Sequence, residues 1–318
     1  MENKKFTVVI PTYNRKTELL ECLKALEVQG NYDKFDLIIS NNKSNYDVEE
    51  WVKHAVNKRF FDIITIYNRP FNVGGDINIA ESFQLPKTQW MWLTSDDDIP
   101  EPDAISTILN DIEEHPDVCW IKYSISGKYK SFKDRKTNDV ISFFSEFSST
   151  SHSMGEMIFM SNNLYNLKEL RDYIGDAPFY ASSCMSQLVP PLRAIINDQK
   201  YMMFSHKCLT NYVGGRISYN SIYANVGLGN FIYTNIFLND LQIKSFRKVL
   251  CMMPRTQLVP LFNIRNKVIR KYLFKKFFLD RYPSLSLEGL HIYIIYYLLS
   301  FLPYSILEKI LVKRLRIS

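Results

Sequence analysis

Residues 90–100 read Trp-Met-Trp-Leu-Thr-Ser-Asp-Asp-Asp-Ile-Pro, an apolar run that stops in three consecutive carboxylates. Like charges this close repel and raise one another's pKa, so the arrangement is costly unless a cation sits there. Asp96 and Asp98, at i and i+2 on a tight turn, can converge on one hard cation. Mg²⁺ and Mn²⁺ favour such oxygen ligands and commonly share substrate phosphates. The alternative is a solvated turn, with Asp98 capping a helix over 102–114 that Pro100 and Pro102 begin.

Outward from this stretch, apolar runs alternate with helix-compatible spacing. Phe-Thr-Val-Val-Ile at 6–10 is the continuous β-branched run of a strand buried on both faces, and Pro11 ends it. Further strands are expected at 35–39, 63–67, 90–93 and 118–123, with helices over 17–28, 47–56 and 102–114. A short helix follows Asn72-Val-Gly-Gly-Asp-Ile-Asn. This alternation predicts an α/β fold with a mostly parallel central sheet and flanking helices. Ligands of such sheets bind outside the carboxyl ends of the strands. Thr12-Tyr13-Asn14, Asn41-Asn42 and the three aspartates all fall there. Beyond residue 125 the pattern weakens: 127–153 reads as loops or an irregular hairpin, 157–160 as a strand and 164–173 as a helix.

Composition narrows the class. Five scattered cysteines without a Cys-x-x-Cys pair argue against a zinc site or a disulfide framework. The first twenty residues lack a signal-peptide pattern, which predicts a cytoplasmic protein. The net charge of +6 hides an asymmetry: residues 241–318 hold 15 Lys/Arg against 3 Asp/Glu, whereas the rest of the chain is acidic. Within that tail, 290–302 is nearly all apolar but short of the ~20 residues that span a bilayer. Ile306, Leu307, Ile310, Leu311 and Leu315 then recur at helical spacing between basic residues. A basic amphipathic helix beside an apolar one fits in-plane binding to an anionic membrane surface; packing on the core or on a second copy is the alternative. No nucleic-acid module accompanies the charge, so nucleic acid is not expected as a partner.

The order of a strand, Pro11-Thr12-Tyr13-Asn14-Arg15, a helix, a strand, Ser40-Asn41-Asn42, Asn72-x-Gly74-Gly75-x-x-Asn78, then Ser95-Asp96-Asp97-Asp98 resembles the family 2 glycosyltransferases of the GT-A fold. Asp96-x-Asp98 resembles their metal-binding DXD motif. The resemblance covers 5–125 closely and 155–220 loosely. It implies a GT-A domain over 1–225 and a helical region over 226–318, with a nucleotide-diphosphate sugar as donor and a glycan or lipid-linked acceptor. It further implies Mn²⁺ or Mg²⁺ as cofactor, an inverting reaction, and a place in bacterial capsule, O-antigen or other surface-polysaccharide synthesis at the inner face of the cell membrane. Pro11, Thr12, Tyr13, Arg15, Asn41, Asn72, Gly74, Asp96, Asp97 and Arg216 would bind the donor, and Asp98 with Asp96 the metal. Asn41 stands where the family usually has an aspartate, which leaves the base open.

An inverting transferase needs a base for the acceptor hydroxyl. The family's Glu-Asp pair has no counterpart in residues 181–187, Ala-Ser-Ser-Cys-Met-Ser-Gln. Two carboxylates upstream of that stretch, Glu156 and Asp176, are carried forward as candidates, Glu156 first. His206 is a further, weaker metal candidate, and homo-oligomerisation is left open. Two other functions compete: a sugar-phosphate nucleotidylyltransferase, which would carry a glycine-rich loop after the first strand, and a non-catalytic adaptor on a degenerate transferase fold.

Overall fold

The computed structural model describes residues 4–126, 130–148, 152, 154–211, 221–252, 258–282 and 284–307. The chain divides into two compact units, Met1–Ser142 with Gly155–Gly215, and Phe143–Met154 with Arg216–Ser318.

The first unit has the α/β architecture expected. β1 (Phe6–Thr12), β2 (Phe35–Asn41), β3 (Ile64–Asn68) and β4 (Trp90–Leu93) form a parallel block in the order β3-β2-β1-β4. Four further strands extend it from β4, in the order β8 (Asn163–Asn166), β6 (Trp120–Ser126), β9 (Met202–Asn211) and β5 (Ile99–Pro100), with β7 (Arg135–Thr137) paired to β9. β8 runs antiparallel to both β4 and β6. The β1 side chains Phe6, Val8 and Ile10 on one face and Val9 on the other have no solvent exposure, as a strand covered on both faces requires. Helices α1 (Lys16–Glu27) and α5 (Ala104–Glu114) bury one apolar stripe each, Leu19, Cys22, Leu23 and Leu26 on the first, Ala104, Ile105, Ile108 and Ile112 on the second. α2 (Val48–Ala55) starts where Asp47 accepts from the Glu50 N–H, and α3 (Lys58–Phe61) where Asn57 accepts from the Phe60 N–H.

The chain moves outward from β1 to β2 and β3, then returns to the opposite side of β1 as β4. That reversal is a topological switch point, the crevice in which α/β sheets hold ligands. Register aligns the strand ends there: Thr12 pairs with Asn41, and Asn41 with Asn68.

Three expectations of local structure are corrected. Residues 157–160, read as a strand, lie at α7 (Met154–Ile158) and its exit. Residues 164–173, read as a helix, begin as β8, because the buried amides of Asn163 and Asn166 are satisfied only by the neighbouring strands and turns. Residues 127–153 contain β7 and α6 (Val140–Phe147), whose Phe143, Phe144 and Phe147 are fully buried despite the polar composition around them.

In the second unit, the helices Ser221–Asn230 and Asp240–Leu250 are followed by a basic helix, Lys267–Arg281, and an apolar one, Leu287–Leu299. Phe144, Phe231, Phe237 and Phe246 make edge and tilted ring contacts at 5.2–5.8 Å. Two arginines of the basic tail are wholly buried. Arg270 donates to the carbonyls of Ile264, Ser300 and Leu302, and Arg281 to those of Leu250 and Phe277. Part of the tail's charge therefore clasps chain ends rather than facing solvent. The expected amphipathic helix around 306–315 lies mostly outside the described residues.

Candidate active site

The carboxylates converge with β1, and not on a helix cap. α5 begins at Asp103, and Asp98 instead accepts from Ser161 Oγ at 2.5 Å. The Thr94 N–H bonds to the Val9 carbonyl at 3.0 Å, which carries the end of β4 past β1. Asp96 then meets Thr12 Oγ1 at 2.7 Å through Oδ2 and Arg15 Nη1 at 3.0 Å through Oδ1. Arg15 also reaches Asp97 Oδ2 at 2.5 Å, and Asp97 Oδ1 accepts from Ser95 Oγ.

Burial sets the electrostatics. Asp96 is 3% exposed and Asp98 9%. Desolvation pushes the Asp96 carboxyl up to about 6 against the opposing pull of Arg15 and Thr12. It pushes Asp98 to about 7, with Ser161 opposing and the charges of Asp97 and Asp96 adding to the rise. Both oxygens of Asp96 are engaged, whereas Asp98 Oδ1 has no hydrogen-bond partner among the described residues. Two buried carboxylates with costly charge and one open oxygen are a donor set that fits a hard divalent cation. Asp98 would be the direct ligand, and Asp96 would fix Arg15 and Thr12 beside it.

The remaining donor-side candidates lie at the ends of the neighbouring strands. Asn41 uses its amide both ways, donating to Asn68 Oδ1 at 2.8 Å and accepting from the Ser44 N–H at 2.9 Å; an aspartate could not donate. Asn14, in the left-handed region at φ 55°, ties the β1–α1 turn to the β2–α2 loop through Ser44 and Asn45. Asn72 Oδ1 accepts from Asn42 Nδ2 at 2.9 Å and from the Gly74 N–H at 2.8 Å. Gly74 has φ +88°, which needs glycine, and nothing lies within 4 Å of a side chain added there. It opens α4 (Gly75–Glu81). Tyr13 is exposed and Pro11 half-buried at the same edge. Arg216 lies outside the described residues. His206 pairs with Asp134 at 2.7 Å on the surface. Another acidic group, Asp111 with Glu114 and His115, already has Lys207 Nζ 2.5 Å from Asp111.

The two candidate bases separate. Glu156 has no solvent exposure and faces Lys122, equally buried, whose ammonium burial pulls down to about 7 while the Glu156 charge opposes the fall. Glu156, the candidate base expected first, thus lies sealed in the interior near a buried lysine. Asp176 lies on the 3-10 segment Ile174–Ser183, pairs with Arg193 Nε at 2.9 Å and keeps 31% of its side chain exposed.

Ser161 is the site residue that the sequence reading missed. Its hydroxyl accepts from the Ser95 N–H at 2.8 Å while donating to Asp98, and its carbonyl accepts from Trp92 Nε1 at 2.8 Å. The next residue, Asn162, is locked to the Tyr123 backbone in both directions. The one signal available was the polar triplet Ser161-Asn162-Asn163 between apolar runs. A partner that orients a metal-binding carboxylate is worth roughly 10–100-fold in metal affinity. Ser161→Ala is therefore expected to weaken Mn²⁺ binding by about that factor in a calorimetric titration, and in an Asp98→Asn background to have no further effect. Unchanged Mn²⁺ affinity would remove Ser161 from this role.

Comparison with known proteins adds to this geometry. The sequence model of glycosyl transferase family 2 matches residues 7–187. Abequosyltransferase RfbV of Salmonella typhimurium is 30% identical over 110 residues, 34% of this chain and 33% of its own. The O-antigen chain rhamnosyltransferase RfbN of the same organism is 32% identical over 106 residues, 33% of this chain and 32% of its own. The chain thus matches about a third of the length of these curated relatives. Residues 1–349 of S. aureus TarS superpose with a TM-score of 0.62 at 15% identity, over 96% of this chain and 90% of that one, a likeness of fold.

Proposed function

Because the chain belongs to glycosyl transferase family 2, we propose that it moves a sugar from a nucleotide-diphosphate donor to a glycan or lipid-linked acceptor in surface-polysaccharide synthesis. The observation that carries this is the meeting of Thr12, Arg15, Asp96 and Asp98 at the β1/β4 switch point. Support for the pathway class comes from RfbN, an O-antigen chain rhamnosyltransferase, and for the donor class from a TarS structure in complex with UDP-GlcNAc.

In this reading the nucleotide lies across the ends of β1 and β2, over the open backbone at Gly74, and the second amide N–H of Asn41 is the group left for the base. Arg15 binds the diphosphate, Asp98 and Asp96 would hold Mn²⁺ or Mg²⁺ beside it, and the ion would supply neutralisation of charge on the leaving group. Asp176 is the base of an inverting transfer, taking the acceptor hydroxyl's proton as the hydroxyl oxygen attacks the anomeric carbon, whose bond to the diphosphate oxygen breaks and releases the nucleoside diphosphate. The protein is peripheral at the membrane where lipid-linked acceptors reside.

A thermal-shift screen of UDP, GDP, CDP and dTDP, with and without Mn²⁺, tests the donor site. One diphosphate should stabilise the protein only with the metal; no shift with any of the four would sink the reading. For the base, Asp176→Asn is expected to lower kcat by ~10²–10⁴ with donor affinity nearly unchanged. Near-normal turnover of that variant would move the role elsewhere, and a wild type that neither transfers the sugar nor hydrolyses the donor with Mn²⁺ would favour the adaptor reading.

A further inference from the structure

We propose that the apolar helix Leu287–Leu299 lies in the plane of an anionic membrane leaflet, its outer face among the acyl chains and the lysines of the helix Lys267–Arg281 at the headgroups. This deepens the peripheral location proposed above by naming the surface that makes it.

Leu287, Ile294, Ile295, Leu298 and Phe301 recur at helical spacing and all face solvent; Leu287 is 79% exposed, Leu298 63% and Ile295 54%. Single exposed leucines are ordinary, but a whole apolar face marks an interaction site. The opposite face is already used: Tyr293 is buried in the cluster of Leu261, Phe262, Phe274 and Phe277. The helix carries no Lys or Arg, and Glu288 is its one acidic residue. Its thirteen residues extend ~20 Å, less than the ~30 Å hydrocarbon core. No helix among the described residues is long and apolar enough to cross a membrane. In-plane seating is the geometry left for this face on a bilayer.

Charge selects the occupant. Lys267, Lys271 and Lys275 stand at i, i+4 and i+8 on the basic helix, and Lys271 Nζ lies 3.7 Å over the Phe301 ring. The lysine stripe therefore borders the apolar face. Tyr297, edge-on to Phe301 at 5.2 Å, adds an exposed aromatic with a polar tip, a side chain suited to the boundary between lipid and water. Pairing of two copies through this face would be self-complementary and would bring two lysine stripes together. An anionic leaflet takes the same stripe favourably.

The test uses the full chain and co-sedimentation with phosphatidylglycerol-containing and pure phosphatidylcholine vesicles. Ile294→Asp with Leu298→Asp alters two exposed side chains, so the fold should hold, as a melting curve will show. Binding to the anionic vesicles should fall by about tenfold or more, while transfer to a short soluble acceptor persists. Lys271→Glu with Lys275→Glu should weaken binding to the anionic vesicles alone, and added salt should do the same to the wild type. Wild-type-like binding by the double aspartate variant, or equal wild-type binding to both vesicles, would overturn the proposal. So would a dimer in light scattering that the aspartates dissolve, without vesicle binding. A chain that binds vesicles yet transfers no sugar would leave this surface standing and remove the transferase reading.

Discussion

Asp98→Asn is expected to abolish Mn²⁺-dependent stabilisation by nucleoside diphosphate and to raise the melting temperature of the metal-free protein. Asparagine keeps the shape and can still accept from Ser161 Oγ, so what it removes is the buried charge. In the fold Asp98 titrates near 7, against 3.8 when unfolded. A raised carboxyl binds its proton more tightly in the folded state. Its cost is absent below pH ~4, grows as pH rises from there, and is complete above about 7. At one pKa unit per ~1.4 kcal/mol, the full cost is on the order of a few kcal/mol. Metal-free Asp98→Asn should therefore melt several degrees above the wild type at pH 8, with the gap closing towards pH 4. Transfer should fall by ~10³-fold or more, since such an ion stabilises developing charge by several kcal/mol. A variant that melts lower than the wild type, or that still gains stability from Mn²⁺ with nucleotide, would contradict the assignment.

The second large effect is structural and concerns Lys122 and Glu156. Removing one of two opposite charges that interact inside the fold costs on the order of a few kcal/mol, because the other stays behind with less compensation. The two sides are unequal here. Lys122 donates to Asn162 Oδ1 at 2.7 Å and Asn163 Oδ1 at 3.2 Å, and Lys122→Met leaves those acceptors unserved and removes the positive charge whose field Glu156 shares. After Glu156→Gln, Lys122, already drawn down to about 7 by burial, can shed its proton and relieve much of the strain. Denaturant melts should thus show Lys122→Met losing the larger amount, Glu156→Gln less, and the pair together less than the sum. If Glu156→Gln instead melted normally and lost a hundredfold in kcat, the base would return to Glu156.

Some of the site was legible because it depends on local order along the chain. The runs at 6–10, 35–39 and 90–93 are mostly apolar, rich in β-branched or aromatic residues, and each is followed by polar side chains that need partners to be buried. Polar clusters at successive strand ends must fall on one edge of a parallel sheet, whatever the packing details. The same reasoning failed beyond residue 125, where elements are short and held by amides such as Asn163 and Asn166 rather than by periodic apolar faces.

The sequence by itself determined the α/β class, the carboxyl-edge position of Thr12, Asn41 and Asp96–Asp98, and the basic, partly apolar character of the tail. Only the tertiary structure decided which carboxylates are sealed, which are bridged and which stay open. β8 enters antiparallel to β4 and brings Ser161 to Asp98 across 63 residues of chain. Lys122 and Glu156 share an interior that neither residue's neighbours announce. Arg270 and Arg281 turn inward to chain carbonyls, while Leu287, Ile294 and Leu298 turn out. Burial and partnership are properties of elements meeting, and those meetings depend on distances in space that sequence spacing does not encode.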